Sequence, residues 1–262
     1  MVYVIKADGR REPFSEEKLE RTLRRVGAPK ELWPVVLEKV RTSLYDGMST
    51  KEIYRILMGE LRRLEHPSSE RMRLKEAMMF LGPAGFAFEA FMAEIFKSMG
   101  YEVELNPILD GRCAIHEIDL LLEGTEIVEC KYHNQPGIYT GLKEAMYTEM
   151  RAIDLKDGRF DVKRVWLVTN TRFSEEAKRF ASCRGMMLLG WRVPEGEGLE
   201  EIIEKHKLYP ITMLTSLTQE EFETLRSQGF LTLRNLVERK VVGIGSKRLR
   251  ELRKRAREIL EG

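Results

Sequence analysis

Apolar and polar positions along the chain fall into three regimes. Val2 to Ile5 alternates like a half-exposed strand, with a turn at Asp8-Gly9; from there to about residue 82, apolar residues recur at helical spacing between heavily charged faces. Ser15 stands where its hydroxyl would cap a helix whose first turn carries Glu16 and Glu17. Ser49, with Glu52 three residues on, spells a capping box. Gly82-Pro83 marks a boundary.

Residues 84 to about 193 switch between the helical and the strand period, the signature of an α/β layer fold. The pattern predicts a helix from Phe86 to Met99 and strands at Tyr101 to Leu105, Ile115 to Leu122 and Glu126 to Tyr132. A helix near Leu142 to Leu155, a strand Arg164 to Thr169, a helix capped by Ser174 and a strand Met186 to Leu189 follow, giving the order αβββαβαβ. Pro194 to Gly198 reads as a loop, and a short helix leads to Pro210. The last regime, 211 to 262, is helical throughout, with a capping box at Thr218 and Glu221 and punctuation at Gly229, Gly243 and Gly245.

With 262 residues, 43% hydrophobic and 33% charged, the chain has enough apolar material for one large domain or two to three small ones, which excludes a disordered chain. The longest weakly polar stretch, Ala77 to Phe88, falls well short of the ~20 residues of a bilayer span and is broken by glycine and proline. No export leader is recognisable, so a cytoplasmic protein without a membrane partner is expected. Three cysteines, an odd number, point to reduced thiols rather than a disulfide framework. The net charge of +2 is uninformative, but its distribution is not: Arg239, Lys240, Lys247, Arg248, Arg250, Arg253, Lys254, Arg255 and Arg257 crowd the last segment. Such a patch is a candidate phosphate-binding surface.

The chemistry concentrates at Asp119 and, ten positions later, Glu129-Cys130-Lys131. In a strand, Glu129 and Lys131 share a face and Cys130 points the other way. A connecting loop of odd length, with Gly124 or its neighbour in a left-handed conformation, puts Asp119 opposite Glu129 on that face; a two-residue turn puts it on the other. Glu89 has Met92, Ala93 and Phe96 at helical spacings, so it borders a buried stripe and offers a third acid. Clustered carboxylates suit Mg²⁺ or Mn²⁺, with Asp119, Glu129 and Glu89 as ligands and Lys131 beside the reacting phosphate. The competing arrangement is a routine cross-strand ion pair on an exposed hairpin. Cys113-x2-His116 and Cys130-x2-His133 have the outline of a zinc site, but residues three apart in a strand point to opposite faces, and neither pair encloses a turn residue.

Phe88-Glu89 in a helix ending at Met99-Gly100-Tyr101, then Ile118-Asp119, then Glu129-Cys130-Lys131, with Val168 to Ser174 closing the domain, resembles the Mrr-type branch of the PD-(D/E)xK restriction-endonuclease-like nucleases over residues 84 to 193. The resemblance implies an αβββαβ core. It also implies metal binding by the acids matching Asp119 and Glu129, a catalytic Lys131 and an assisting Glu89. The chain departs from the family at Arg112 to Glu117, where Cys113 to Glu117 replaces the usual Asp-Gly-Gly lead-in.

Two flanking resemblances complete the layout. Val4 to Gly9, then Glu12, Phe14, Ser15 and Lys18, with Tyr45 to Thr50, looks like an ATP-cone, a mostly helical regulatory nucleotide-binding module. It implies phosphate or base contacts from Lys6, Lys18 and Thr50, with Glu12 and Ser15 nearby and ATP or dATP as ligand; Ala7 stands where that module usually has a basic residue. No P-loop motif occurs, so a nucleotide would act as an effector and not as fuel. Val242 to Leu249 resembles the hairpin of helix-hairpin-helix modules, in which Gly243 and Gly245 let the backbone approach DNA and Ser246, Lys247 and Arg248 meet phosphate at a helix N-terminus. The expectation is therefore an α/β protein of three parts: a cone over 1–82, a nuclease domain over 84–193 and a small all-α DNA-holding domain over 211–262. It would cut DNA as an Mg²⁺-dependent endonuclease, duplex cleavage calling for a homodimer. The alternative is a nucleotide-responsive DNA-binding regulator with an inactive nuclease fold.

Overall fold

The structure, a computed structural model, describes residues 2–6, 9–64, 68–82, 85–135 and 137–261, apart from the side chain of Glu70. Ala7, Asp8, Pro83 and Ala84, which carry part of the turn, the nucleotide motif and the boundary read from sequence, lie outside them. The fold is mixed α/β, and it separates into two compact units, each discontinuous along the chain: 1–75 with 213–217 and 243–262, and 76–212 with 218–242.

In the first unit a three-stranded sheet sets Tyr3–Ile5 between Arg11–Pro13, antiparallel to it, and Met48–Ser49, parallel to it. Helices Glu16–Arg25, Trp33–Ser43 and Thr50–Arg63 bury Leu23, Val36, Val40, Leu57 and Leu61 in one core. Two capping expectations change. The Ser15 hydroxyl makes no capping bond, and Glu16 in the first turn pairs with Arg41. Ser49 does accept from the Glu52 amide at 3.1 Å, but the Glu52 carboxylate accepts from the Tyr45 hydroxyl at 3.0 Å in place of completing the box. The C-terminal helix Ser246–Glu261 belongs to this unit: buried Arg71 donates to the Ile259 carbonyl at 3.0 and 2.7 Å and to the Val26 carbonyl at 3.3 Å. The last carbonyls of a helix have no partner within it, so a guanidinium satisfies them and offsets the negative dipole end.

The second unit is built on one five-stranded sheet. Its elements are α1 (Phe86–Ser98), β1 (Val103–Leu105), β2 (Leu120–Leu122), β3 (Glu126–Lys131), α2 (Leu142–Asp157), β4 (Arg164–Thr169), α3 (Glu175–Arg184) and β5 (Met187–Leu189). Strand order is β5-β4-β3-β2-β1, with β3, β4 and β5 parallel and β1, β2 and β3 antiparallel neighbours. Strands β3 and β4 pair over all six residues and are buried almost throughout, because helices cover both faces. Phe96 of α1 meets Trp166 edge-on at 5.4 Å on one face, while Leu167 packs with Ala145 and Ala152 of α2 on the other.

The strand expected over Ile115 to Leu122 is broken. Ile115–Glu117 pairs with Ile108–Asp110 as a separate hairpin, and only Leu120–Leu122 joins the main sheet. The cause lies on α2: the Asp154 carboxylate accepts from the amides of Cys113 and Ala114 at 2.8 and 3.1 Å and lies 2.7 Å from His116 Nε2, pinning the hairpin to the helix. These bonds, His116 foremost, hold the Asp154 carboxyl down at about 2. Gly158, just past α2, closes the same contact, since a Cβ there would stand 2.7 to 2.9 Å from backbone atoms of 110–112. Gly158→Ala is therefore expected to destabilise the protein by about 1–3 kcal/mol, measured by denaturant unfolding against wild type.

Beyond the sheet, helices Leu199–His206, Gln219–Ser227 and Leu233–Glu238 follow, the second opened by the Thr218–Glu221 capping box. Among the described residues no helix is long and apolar enough to cross a membrane.

Candidate nuclease site

The loop joining β2 to β3 has three residues, since Leu122 pairs with Glu126, and Glu123 and Gly124 both take left-handed φ, 50° and 64°. From that register, Asp119 stands across from Glu129. Asp119 sits at a bend just ahead of β2, where its Oδ2 accepts from the Cys130 amide at 2.6 Å. Glu129 and Lys131 project together, with Lys131 Nζ 2.5 Å from Glu129 Oε1. Cys130 turns to the other face and is buried, its thiol pushed well up by burial and by the Asp119, Glu89 and Glu129 charges. Glu89 lies in the first turn of α1, where the helix dipole favours an acid, and its Oε2 accepts from Asn106 Nδ2 at 3.0 Å. Asn106 holds its own left-handed φ of 52° between β1 and the hairpin, which aims its amide at Glu89.

The electrostatics bind these groups into one cluster. The Asp119 carboxyl is pushed up to about 7, first by burial, then by the charge of Glu129 and, more weakly, of Glu89. The Cys130 amide and Lys131 pull it the other way without prevailing. For Lys131, burial favours the neutral amine, but the hydrogen bond and charge of Glu129, with Asp119 behind it, outweigh this and raise its pKa. The sequence reading missed one member, Arg151 of α2, which donates through Nη1 to Glu129 Oε2 and through Nη2 to the Glu117 carbonyl. Arg151 is one position off the buried Ala145, Thr148, Ala152 and Leu155 stripe, which was the available signal.

The site contains only hard carboxylate oxygens, crowded enough that Asp119 holds a proton near neutrality; this donor set fits a hard divalent cation. The three acids are not gathered into a finished cage: among the described residues no three His, Cys, Asp or Glu form a group able to hold an ion. Both oxygens of Glu129 are engaged, one by Lys131 and one by Arg151. The zinc outline is dispersed, with His116 on Asp154, His133 Nε2 3.0 Å from Thr140 Oγ1, Cys130 buried and Cys113 exposed.

In the first unit, Lys18 and Lys6 both reach Glu12, at 2.8 and 3.3 Å, and the two ammoniums hold its carboxyl low, Lys18 most strongly. Ser15 immediately precedes the helix that carries Lys18, and Thr50 opens the helix after Met48–Ser49. At the C-terminal hairpin Gly243 has a left-handed φ of 84°, Gly245 has open space where a side chain would stand, and Ser246 and Lys247 are exposed. Arg248 is turned to the Ser216 carbonyl.

Family comparisons agree with this layout. The model for the ATP cone domain matches residues 2–74, that for a restriction endonuclease catalytic domain of Mrr type matches 83–190, and one described as AF1548-like, C-terminal, matches 209–260. An uncharacterized protein of Archaeoglobus fulgidus is 42% identical over 175 residues, covering 64% of this chain and 95% of its own length. A crystal structure of the protein of unknown function AF1548 superposes with a TM-score of 0.59 at 36% identity, over 68% of this chain and 100% of that one. The chain belongs to the family of these AF1548-like proteins, and it carries an ATP-cone and a restriction-endonuclease-like domain.

Proposed function

We propose that the protein is a DNA endonuclease that hydrolyses phosphodiester bonds with Mg²⁺ or Mn²⁺ and is tuned by ATP or dATP at its cone. The observation that carries this reading is the hairpin register that sets Asp119 across from Glu129 with the Lys131 ammonium on the same face. Asp119, Glu129 and Glu89 would hold the ion. Bound there, a divalent ion supplies charge neutralisation at the phosphodiester and a water of lowered pKa. Lys131, charged throughout the working pH range, orients the attacking water and meets the negative charge that builds on the phosphoryl oxygens. The Cys130 amide fixes the Asp119 carboxylate in place, and Asn106 does the same for Glu89.

The exposed Gly243-Ile244-Gly245 turn with Ser246 and Lys247 would grip the sugar-phosphate backbone without reading sequence. Cutting both strands would take two copies of the chain. The decisive assay is supercoiled plasmid with Mg²⁺. Nicking or linearisation by wild type, absent from Asp119→Ala and Lys131→Ala, supports the enzyme; no cutting of plasmid, linear or branched DNA refutes it.

A second reading, a nucleotide-responsive DNA-binding regulator, draws on the absence of a finished metal cage among the described residues. In both readings the Lys6–Glu12–Lys18 cluster receives the nucleotide phosphates, which displace Glu12 from its lysines. Lys18→Ala is expected to weaken ATP or dATP binding by about tenfold, measured by calorimetry, as a charge-assisted contact is lost.

A further inference from the structure

We infer that Arg151 is a resident counter-ion of the acidic site: it holds Glu129 until a divalent ion takes that carboxylate, and is then released to bind the phosphate being cut. This deepens the nuclease reading and rests on it.

Three observations lead there. The first is charge. Lys131 feels Glu129, Asp119 and Arg151, while Asp119 feels Glu129 and, more weakly, Glu89, so Arg151 adds a second positive charge to a site where Lys131 alone would leave the acids further from balance. The second is competition for the same atoms. Lys131 holds Glu129 Oε1 and Arg151 holds Oε2, leaving neither oxygen of that carboxylate unengaged for a metal. Lys131 comes from the same strand, two residues away, and stays beside Glu129 whatever else binds. Arg151 reaches in from α2 at the end of a long side chain and is the partner able to leave.

The third is incomplete satisfaction. The Arg151 side chain is only 11% exposed, and its Nε is buried with no hydrogen-bond partner among the described residues. A guanidinium presents Nε and Nη as a fork that matches two oxygens of a phosphate. Here the fork is split between a carboxylate and the Glu117 carbonyl, with the third donor idle. The Tyr147 ring, centred 5.6 Å from the guanidinium carbon one turn earlier on α2, gives that carbon a second surface on which to rest after leaving Glu129.

A structural prop and a displaceable counter-ion differ in what their removal does to ion binding. Calorimetric titration of Mn²⁺ into the full chain at pH 8, without DNA, compares wild type with Arg151→Gln and Arg151→Lys. Circular dichroism melts check that each variant is folded. Arg151→Gln is expected to bind Mn²⁺ about tenfold more tightly, because a positive charge and a competitor for Glu129 are both removed. Its cleavage rate at saturating Mn²⁺ is expected to fall, because the phosphate contact is lost. Arg151→Lys keeps the charge but not the fork, and is expected to bind Mn²⁺ as wild type does while cleaving more slowly.

Unchanged or weaker Mn²⁺ binding in a folded Arg151→Gln overturns the role given to Arg151. Wild-type cleavage by Arg151→Lys does so too, and decides the matter should the glutamine variant not fold. If wild type itself takes up no Mn²⁺, the metal-centre reading fails as a whole. Uptake by wild type that is lost in Asp119→Ala, with no gain in Arg151→Gln, removes Arg151 alone.

Discussion

Asp119→Asn is expected to abolish DNA cleavage and yet make the ion-free protein more stable at pH 8. The folded chain raises the Asp119 carboxyl from the ordinary 3.8 to about 7, so between those pH values the folded state holds a proton that the unfolded state has released. The stability conferred by that proton is complete below about pH 4 and is lost as pH rises through 7. At pH 8 wild type therefore confines an ionised carboxylate beside Glu129 and Glu89 in partly buried surroundings. Asparagine is neutral at every pH, and its amide oxygen still accepts from the Cys130 N–H.

Each factor of ten in proton affinity corresponds to ~1.4 kcal/mol. Discounted for the water that still reaches this half-buried carboxyl, the gain is about 1–3 kcal/mol at pH 8 and shrinks towards pH 5. Denaturant unfolding in a chelating buffer at the two pH values measures it. A variant less stable than wild type at pH 8 would mean that the acids do not crowd one another.

Lys131→Ala is the second large effect, and it separates holding the ion from using it. In the proposed mechanism the ammonium serves the transition state and not ion coordination, so cleavage is expected to fall by about 10²–10³-fold. Mn²⁺ affinity is expected to stay at the wild-type level or rise, since Lys131 repels a cation while it pairs with Glu129. Single-turnover cleavage at saturating Mn²⁺, set beside a Mn²⁺ titration, shows the split. Equal loss of both would make Lys131 a structural support for Glu129.

How far the sequence could be read depended on whether the cause was local. The order of helices and strands between 86 and 189 follows from periodicity, and the register facing Asp119 with Glu129 follows from side-chain alternation and a glycine at Gly124. The place of Glu89 beside a buried helix stripe was legible because its neighbours at helical spacing are apolar. What stayed hidden depends on partners distant in the chain. Asp154, 38 residues after His116, splits a continuous-looking strand in two. Arg41 pairs with Glu16, and Arg71 caps a helix end 188 residues away, joining 243–262 to the first unit. Arg151 looks like one more solvated arginine on a helix until the fold brings Glu129 under it.

The most direct measurement is Mn²⁺ calorimetry at pH 8 on the intact chain and on Asp119→Ala. One ion bound per chain by wild type, and none by the variant, is the expected result. Identical uptake by the two proteins, or none by either, would contradict a cation site formed by Glu89, Asp119 and Glu129.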